Sequence, residues 1–211
     1  MDVANWKGMR DDAPFVNALL RQALLAIEEV MGKHGLNVIL KDAGLERYVD
    51  NPPPNNLEAG AKAAEYARLN EALEKAVGRA GRGMLKRIGR ASFQWGVKEQ
   101  AALLGLAGVA LKLMPQKQRQ KFILNNLAKA LMDTNPDSLI VVEEKSGQFF
   151  YTDYSCAICH TRHADKPVCH LYVGSLEEAL KWASGQDITV EETQCKARGD
   201  PCCQFTLGAA A

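Results

Sequence analysis

Apolar residues recur three and four positions apart over most of the first two thirds of the chain, then alternate or run together over the last third. The change of period predicts helices followed by strands. Asp12 is placed to cap a helix before Pro14. Phe15, Leu19, Ala23, Ala26, Ile27 and Val30 form its stripe until Gly32 and Gly35 stop it, and a short helical turn follows around Val38–Leu40. Three prolines in the stretch 51–56 exclude helix there and mark a break. A second stripe runs from Leu57 to Val77 through Tyr66, Leu69, Leu73 and Ala76. After Gly78, Gly81 and Gly83, a third passes through Met84, Ile88 and Ser92 towards Trp95. The segment from Ala101 to Met114 reads as a helix buried on most sides, and Pro115 opens another with Phe122, Ile123, Leu127 and Leu131 inward.

Beyond Pro136 the runs 138–144 and 148–154 are β-branched and aromatic, joined by Lys145-Ser146-Gly147, a hairpin signal. A helix is expected over 175–184, with Ser175 as cap and Glu178 completing a capping box. Strands at 187–194 and 203–207 flank a turn at 197–201. The expected fold is α+β: a helical N-terminal region followed by a small antiparallel sheet with packed helices. The boundaries expected are a helical arm over 1–56, a main domain over 57–208 and a tail at 209–211.

Composition narrows the function more than the fold. With 211 residues, 47% hydrophobic and 24% charged, the chain has the make-up of a globular protein that needs no disulfides for its core. Lys+Arg 26 against Asp+Glu 25 gives a net charge of +1, which argues against a polyelectrolyte partner such as nucleic acid. No apolar run reaches the roughly 20 residues of a membrane span, and the N-terminus lacks a signal-peptide pattern, so a cytoplasmic location is expected.

All six cysteines lie within the last 56 residues, at 156, 159, 169, 195, 202 and 203. In a reducing compartment such clustering favours a metal over disulfides. Cys169, Glu192, Cys195 and Cys203 supply three thiolates and a carboxylate, a donor set suited to tetrahedral zinc, with two donors on one strand end and one opening the next. Cys156-Ala-Ile-Cys159-His160 spells a haem-attachment motif, and with His163 it offers donors for a second zinc or an iron–sulfur cluster. The plainer reading, a polar loop carrying redox-sensitive thiols, is preferred.

The order Glu192, Cys195, Gly199, Cys203, Phe205 resembles the closing pattern of the 4-vinyl-reductase domain family. The Cys-x-Phe step selects Cys203 over Cys202. The resemblance implies a ligand-binding fold shared with the sensor domains of aromatic-catabolism activators and with Golgi transport tethering subunits. It also implies a structural, non-catalytic zinc on Cys169, Glu192, Cys195 and Cys203, and pairing into a homodimer. Residues 48–56 and 89–96 extend the likeness to the bacteriochlorophyll-biosynthesis branch. That branch implies an accessory or carrier protein for magnesium protoporphyrin or a related tetrapyrrole, with pathway enzymes such as magnesium chelatase as partners. The alternatives are the divinyl (4-vinyl/8-vinyl) protochlorophyllide reductase itself and a small-aromatic sensor module.

From 78 to 121 the chain carries ten basic residues and one acid. Within it Phe93 and Trp95, beside Arg82, Arg87 and Arg90, form the group expected to meet the face and the propionates of a magnesium porphyrin. The plainer reading is core aromatics and a solvated helix face. No Walker loop or G-x-G-x-x-G opens a βα unit, so a reductase would have no visible nucleotide site and catalysis is not expected.

Overall fold

The computed structural model describes residues 3, 6–10, 12–78, 81–101 and 113–210, apart from the side chains of 209 and 210. Its elements are β1 (Pro14–Phe15), α1 (Asn17–Asp42), a 3₁₀ turn (Glu46–Tyr48), β2 (Ala61–Lys62), α2 (Ala63–Val77), α3 (Arg82–Gln100) and α4 (Gln116–Thr134). Then come β3 (Ile140–Lys145), β4 (Gln148–Asp153), α5 (His170–Ser184), β5 (Ile188–Gln194), a second 3₁₀ turn (Lys196–Arg198) and β6 (Cys203–Ala210). The chain is therefore α+β. Its main sheet is antiparallel in the order β3-β4-β6-β5, and β1 and β2 make a separate two-residue ladder. Most of the helix expected over Ala101–Met114 lies outside the described residues.

The helices depart from their sequence patterns at three places. Pro14 and Phe15 pair with Lys62 and Ala61 as a strand, so α1 starts at Asn17 rather than after Asp12. Its first N–H groups are satisfied from outside the helix: Asn17 N donates to Glu58 O and Ala18 N to Asn56 O, both at 2.9 Å. The proline-rich break thus caps α1. Where the pattern places a stop, Gly32 at φ 75° and ψ 165° is non-helical and divides α1 into two helical segments, the second running on to Asp42. In α2 the start shifts to Ala63, where the Glu65 carboxylate accepts the Lys62 N–H at 2.9 Å.

The third departure positions the site. α5 begins at His170, five residues before the expected cap, and runs through Gly174. Gly174 is tolerated because another helix fills the space of its missing side chain. A Cβ there would lie 2.1 Å from Lys86 O, and one at Gly89 would lie 2.0 Å from Leu171 O. α3 and α5 therefore cross backbone to backbone through two facing glycines. Ser175, expected as a cap, instead donates from Oγ to Gly89 O across the crossing at 2.9 Å. Beside it the buried Glu177 receives Lys86 Nζ and Arg90 Nη2, each at 2.7 Å.

The strands follow their pattern closely. Ser146 (φ 52°) and Gly147 (φ 83°) make a two-residue hairpin turn between β3 and β4. β5 alternates strictly, with Ile188, Val190 and Glu192 buried and their neighbours exposed. β6 buries Cys203, Phe205 and Leu207. One contiguous core joins α1 (Leu20, Leu24, Ile27), α3 (Ile88), α5 (Leu176, Leu180) and the sheet (Tyr151, Phe205).

The crossing yields a direct test. Gly89→Ala or Gly174→Ala pushes a methyl into backbone that cannot rotate away, costing about 1–3 kcal/mol or more and lowering Tm by roughly 5–10 °C. Gly83→Ala, in the same helix with nothing within 4 Å of the added atom, should leave Tm unchanged or higher. Equal melting of all three proteins would refute the crossing.

Candidate functional site

Strand alternation explains why a carboxylate is buried. Glu192 shares the inward face of β5 with Ile188 and Val190, and β6 sets Phe205 opposite it. Cys195 lies just past β5. Its N–H donates to Asp200 Oδ2 at 2.8 Å, closing the turn that returns the chain to Cys203. Cys169 is the residue before α5, and its N–H donates to Glu192 Oε2 at 2.8 Å. Together these four residues hold their donor atoms within 4.8 Å of one another, all buried.

A second arm reaches the same point. Asp153 Oδ1 accepts both the N–H and the hydroxyl of Ser155 at 2.8 Å, bending the chain after β4. Cys156 and Cys159 follow. Both are buried, with Cys156 Sγ 3.6 Å from Cys169 Sγ and Cys159 Sγ 3.3 Å from Cys203 Sγ. Cys156, Cys159, Cys169 and Cys203 form a second set of four donors within 4.8 Å. The expected polar loop is instead part of the core. Cys202 turns away and meets Gln194 Oε1 at 3.2 Å.

The electrostatics of this cluster fit a cation. Burial, and next the neighbouring Cys195, raises the Glu192 carboxyl to about 9. Its Oε1 is buried without a hydrogen-bond partner. Hydrogen bonds from Cys159, Cys169 and Cys203 pull the Cys156 thiol well below its ordinary value. Burial, and then interaction with Cys156, pushes Cys169 well above it. An orphaned carboxylate oxygen among thiols that share protons is a donor set that a thiophilic divalent ion completes.

Next to the cluster, lined in part by Ala157 and Ile158 of its Cys156–Cys159 arm, lies a cavity of about 160 Å³. Its walls are mostly apolar: Phe15 and Leu19 from the N-terminal segment, Phe93 from α3, Leu127 and Leu131 from α4, Ile140 from β3, and Leu171, Tyr172 and Leu176 from α5. Asp153, Ser155 and Ser175 add polar groups. No histidine or cysteine lines it among the described residues. Burial pushes the Tyr66 and Tyr172 phenols upward, which keeps both neutral.

Of the five residues expected to meet a porphyrin, Phe93 alone lines this cavity. Trp95 lies elsewhere around α3, donating to Glu29 Oε2 at 2.9 Å beneath Lys98. Arg90 is engaged with Glu177, Arg87 is exposed, and Arg82 lines a separate cleft with Glu74, Arg162 and His170. The cavity walls from α4 and the N-terminal segment carried no chemical signal in the sequence. Only their apolar period marked them.

Comparison with known proteins adds two findings. Residues 149–209, which span the whole cysteine cluster, match the 4-vinyl-reductase domain, the family that the order of residues 192–205 resembles. The fold is similar to that of H-NOX proteins. An oxygen-binding H-NOX domain related to soluble guanylate cyclases matches with TM-score 0.59 and 13% identity, over 92% of this chain and 93% of that one. An Fe(II) unliganded H-NOX protein from K. algicida matches with TM-score 0.57 and 14% identity, over 92% and 95%. A structure described for heme redox potential and protein-induced porphyrin distortion matches with TM-score 0.59 and 13% identity, over 92% and 98%. No curated protein sequence matches the chain. Among the described residues no helix is long and apolar enough to cross a membrane.

Asp153 carries a pH signature, because burial lifts its carboxyl from 3.8 to about 6 against the pull of Ser155. A raised carboxyl favours the native state below its unfolded value and loses that advantage as pH climbs through the folded one. The difference is roughly 3 kcal/mol, given up between about pH 4 and 6. Asp153→Asn keeps an oxygen for Ser155 and does not ionise. Its Tm should exceed that of the native protein near neutral pH and by much less near pH 4. A gain that is the same at both ends would rule the assignment out.

Proposed function

We propose that the chain is a binding protein for a flat, largely apolar tetrapyrrole, stabilised by a structural zinc site that includes Cys169, Glu192, Cys195 and Cys203. In its specific form the ligand is a magnesium porphyrin such as magnesium protoporphyrin. The chain holds or delivers it to bacteriochlorophyll-pathway enzymes, magnesium chelatase among them, in the cytoplasm and as a homodimer. Residues 57–208 form the ligand-binding domain, and the arm over 1–56 supplies one wall of its cavity.

The observation that carries this reading is the apolar cavity between the N-terminal segment, α3, α4 and α5. It sits in a fold similar to H-NOX structures, one of them described for porphyrin distortion, and beside a match to the 4-vinyl-reductase domain. Apolar walls with a few convergent polar groups are the general form of a small-molecule site. The absence of histidine and cysteine from the described walls disfavours a haem iron held by either and leaves the magnesium porphyrin reading open. At about 160 Å³ the cavity is below the roughly 300–1,000 Å³ of typical ligand pockets, so the walls must part to admit a porphyrin. Arg82, Arg87 and Arg90 lie outside this cavity, Arg82 in a separate cleft and Arg90 on Glu177, so as the group proposed for propionates they would act from the outer face of α3. The same small volume favours a second reading, a sensor of single-ring aromatics.

Titration with magnesium protoporphyrin monomethyl ester and, in parallel, with phenol separates the two. Saturable micromolar binding of the porphyrin with quenched Trp fluorescence is expected, and Ala130→Phe, which fills the cavity, should weaken it at least about tenfold. Binding of phenol alone would transfer the site to the sensor reading. Binding of neither would end both.

The metal has its own test. Purified protein should contain zinc, and Glu192→Ala or Cys195→Ala should lower both zinc content and Tm, because structural zinc is coupled to folding. Zinc binding displaces protons from the thiols and from the raised Glu192 carboxyl, so acidification returns those protons and expels the ion. A stable, zinc-free protein with all thiols free would overturn this part.

A further inference from the structure

The two donor sets converge on one another in a way a single ion does not use. Cys156, Cys159, Cys169 and Cys203 form one set of four, and Cys169, Glu192, Cys195 and Cys203 form the other. They overlap in Cys169 and Cys203. Two tetrahedral ions need eight coordination sites, and two bridging thiolates reduce that to six donor atoms. The cluster supplies six: five sulfurs and one carboxylate.

Distances agree with direct thiolate ligation. A zinc–sulfur bond of ~2.3 Å places neighbouring tetrahedral sulfurs about 3.8 Å apart. The sulfur pairs Cys156–Cys169, Cys169–Cys203 and Cys169–Cys195 stand at 3.6, 3.9 and 4.0 Å, and Cys159–Cys203 at 3.3 Å. Such spacing leaves no room for inorganic sulfide between the cysteines, which separates this arrangement from an iron–sulfur cluster.

Charge agrees as well. Six ionised donors around one divalent ion would leave four negative charges in a dry interior. Two ions leave two, the same residual charge as an ordinary four-cysteine zinc site. The sulfur of Cys203 also receives the Lys196 N–H at 3.4 Å, and Cys169 stands at the N-terminus of α5.

We propose that the cluster is a binuclear site for two thiophilic divalent cations, with Cys169 and Cys203 as bridging thiolates. Cys156 and Cys159 complete one ion, and Glu192 and Cys195 complete the other. The proposal rests on the metal reading of the cluster and extends it from one ion to two. It is independent of the tetrapyrrole.

Native mass spectrometry of the zinc-loaded chain should show two ions per polypeptide. The Cys156→Ser/Cys159→Ser variant should retain one, and so should Glu192→Gln/Cys195→Ser. Cobalt(II) titration of the unmodified chain gives a readout that no variant can spoil by misfolding. The paramagnetic signal should grow over the first equivalent and fall over the second, as the thiolate bridges couple the two spins. One ion per chain, with a cobalt signal that never falls, would overturn the binuclear proposal and leave a single-zinc site. No bound ion at all would overturn the metal reading with it.

Discussion

Five thiols and a carboxylate packed into one dry volume impose the constraint on which this structure turns. Desolvation penalises every one of them when ionised, and each penalises its neighbours. Protons or cations must settle that charge. The chain brings the donors together from three directions: the turn after β4, the start of α5, and the β5–β6 connection. Each approach has its own local device. Asp153 holds Ser155 in the first, the Glu192 carboxylate receives the Cys169 amide in the second, and Asp200 closes the turn after Cys195 in the third. The anchoring groups are themselves acidic, so the region concentrates negative charge well beyond the ligands.

Around this point the fold segregates its chemistry. The donors lie where α5 begins, whereas Leu171, Tyr172 and Leu176 present the following turns of the same helix to an apolar cavity. The Tyr172 hydroxyl donates to Tyr151 at 2.9 Å, and both rings pack on Phe205 beside the sulfur cluster. The ionic and apolar regions thus lie within a few residues of each other: Ala157 and Ile158, between Cys156 and Cys159 in the chain, line the cavity.

Much of this was legible in the sequence, and the rest failed for physical reasons. The strand that ends at Glu192 and Cys195 and the turn at Ser146-Gly147 were both legible, because both signals are local. The pairing of Cys156 and Cys159 with Cys169 and Cys203 was not legible. The contacts span 13 and 44 residues and arise only when the loop after β4 meets the start of α5 and the start of β6. The start of α5 was obscured because Gly174 lowers helix propensity, and the reason for that glycine lies on α3. Phe93 and Trp95 stand two residues apart and so project from different sides of a helix. Their neighbourhood in sequence said nothing of a shared site.

The crossing at which Gly89 meets the backbone of Leu171 and Gly174 that of Lys86 does more than stabilise the fold. With backbone resting on backbone, there is no side chain to absorb displacement between α3 and α5. α5 has Cys169 at its start and part of the cavity wall, Leu171, Tyr172 and Leu176, along its flank. One helix, held at one close crossing, therefore sets the spacing between the sulfur cluster and the apolar wall.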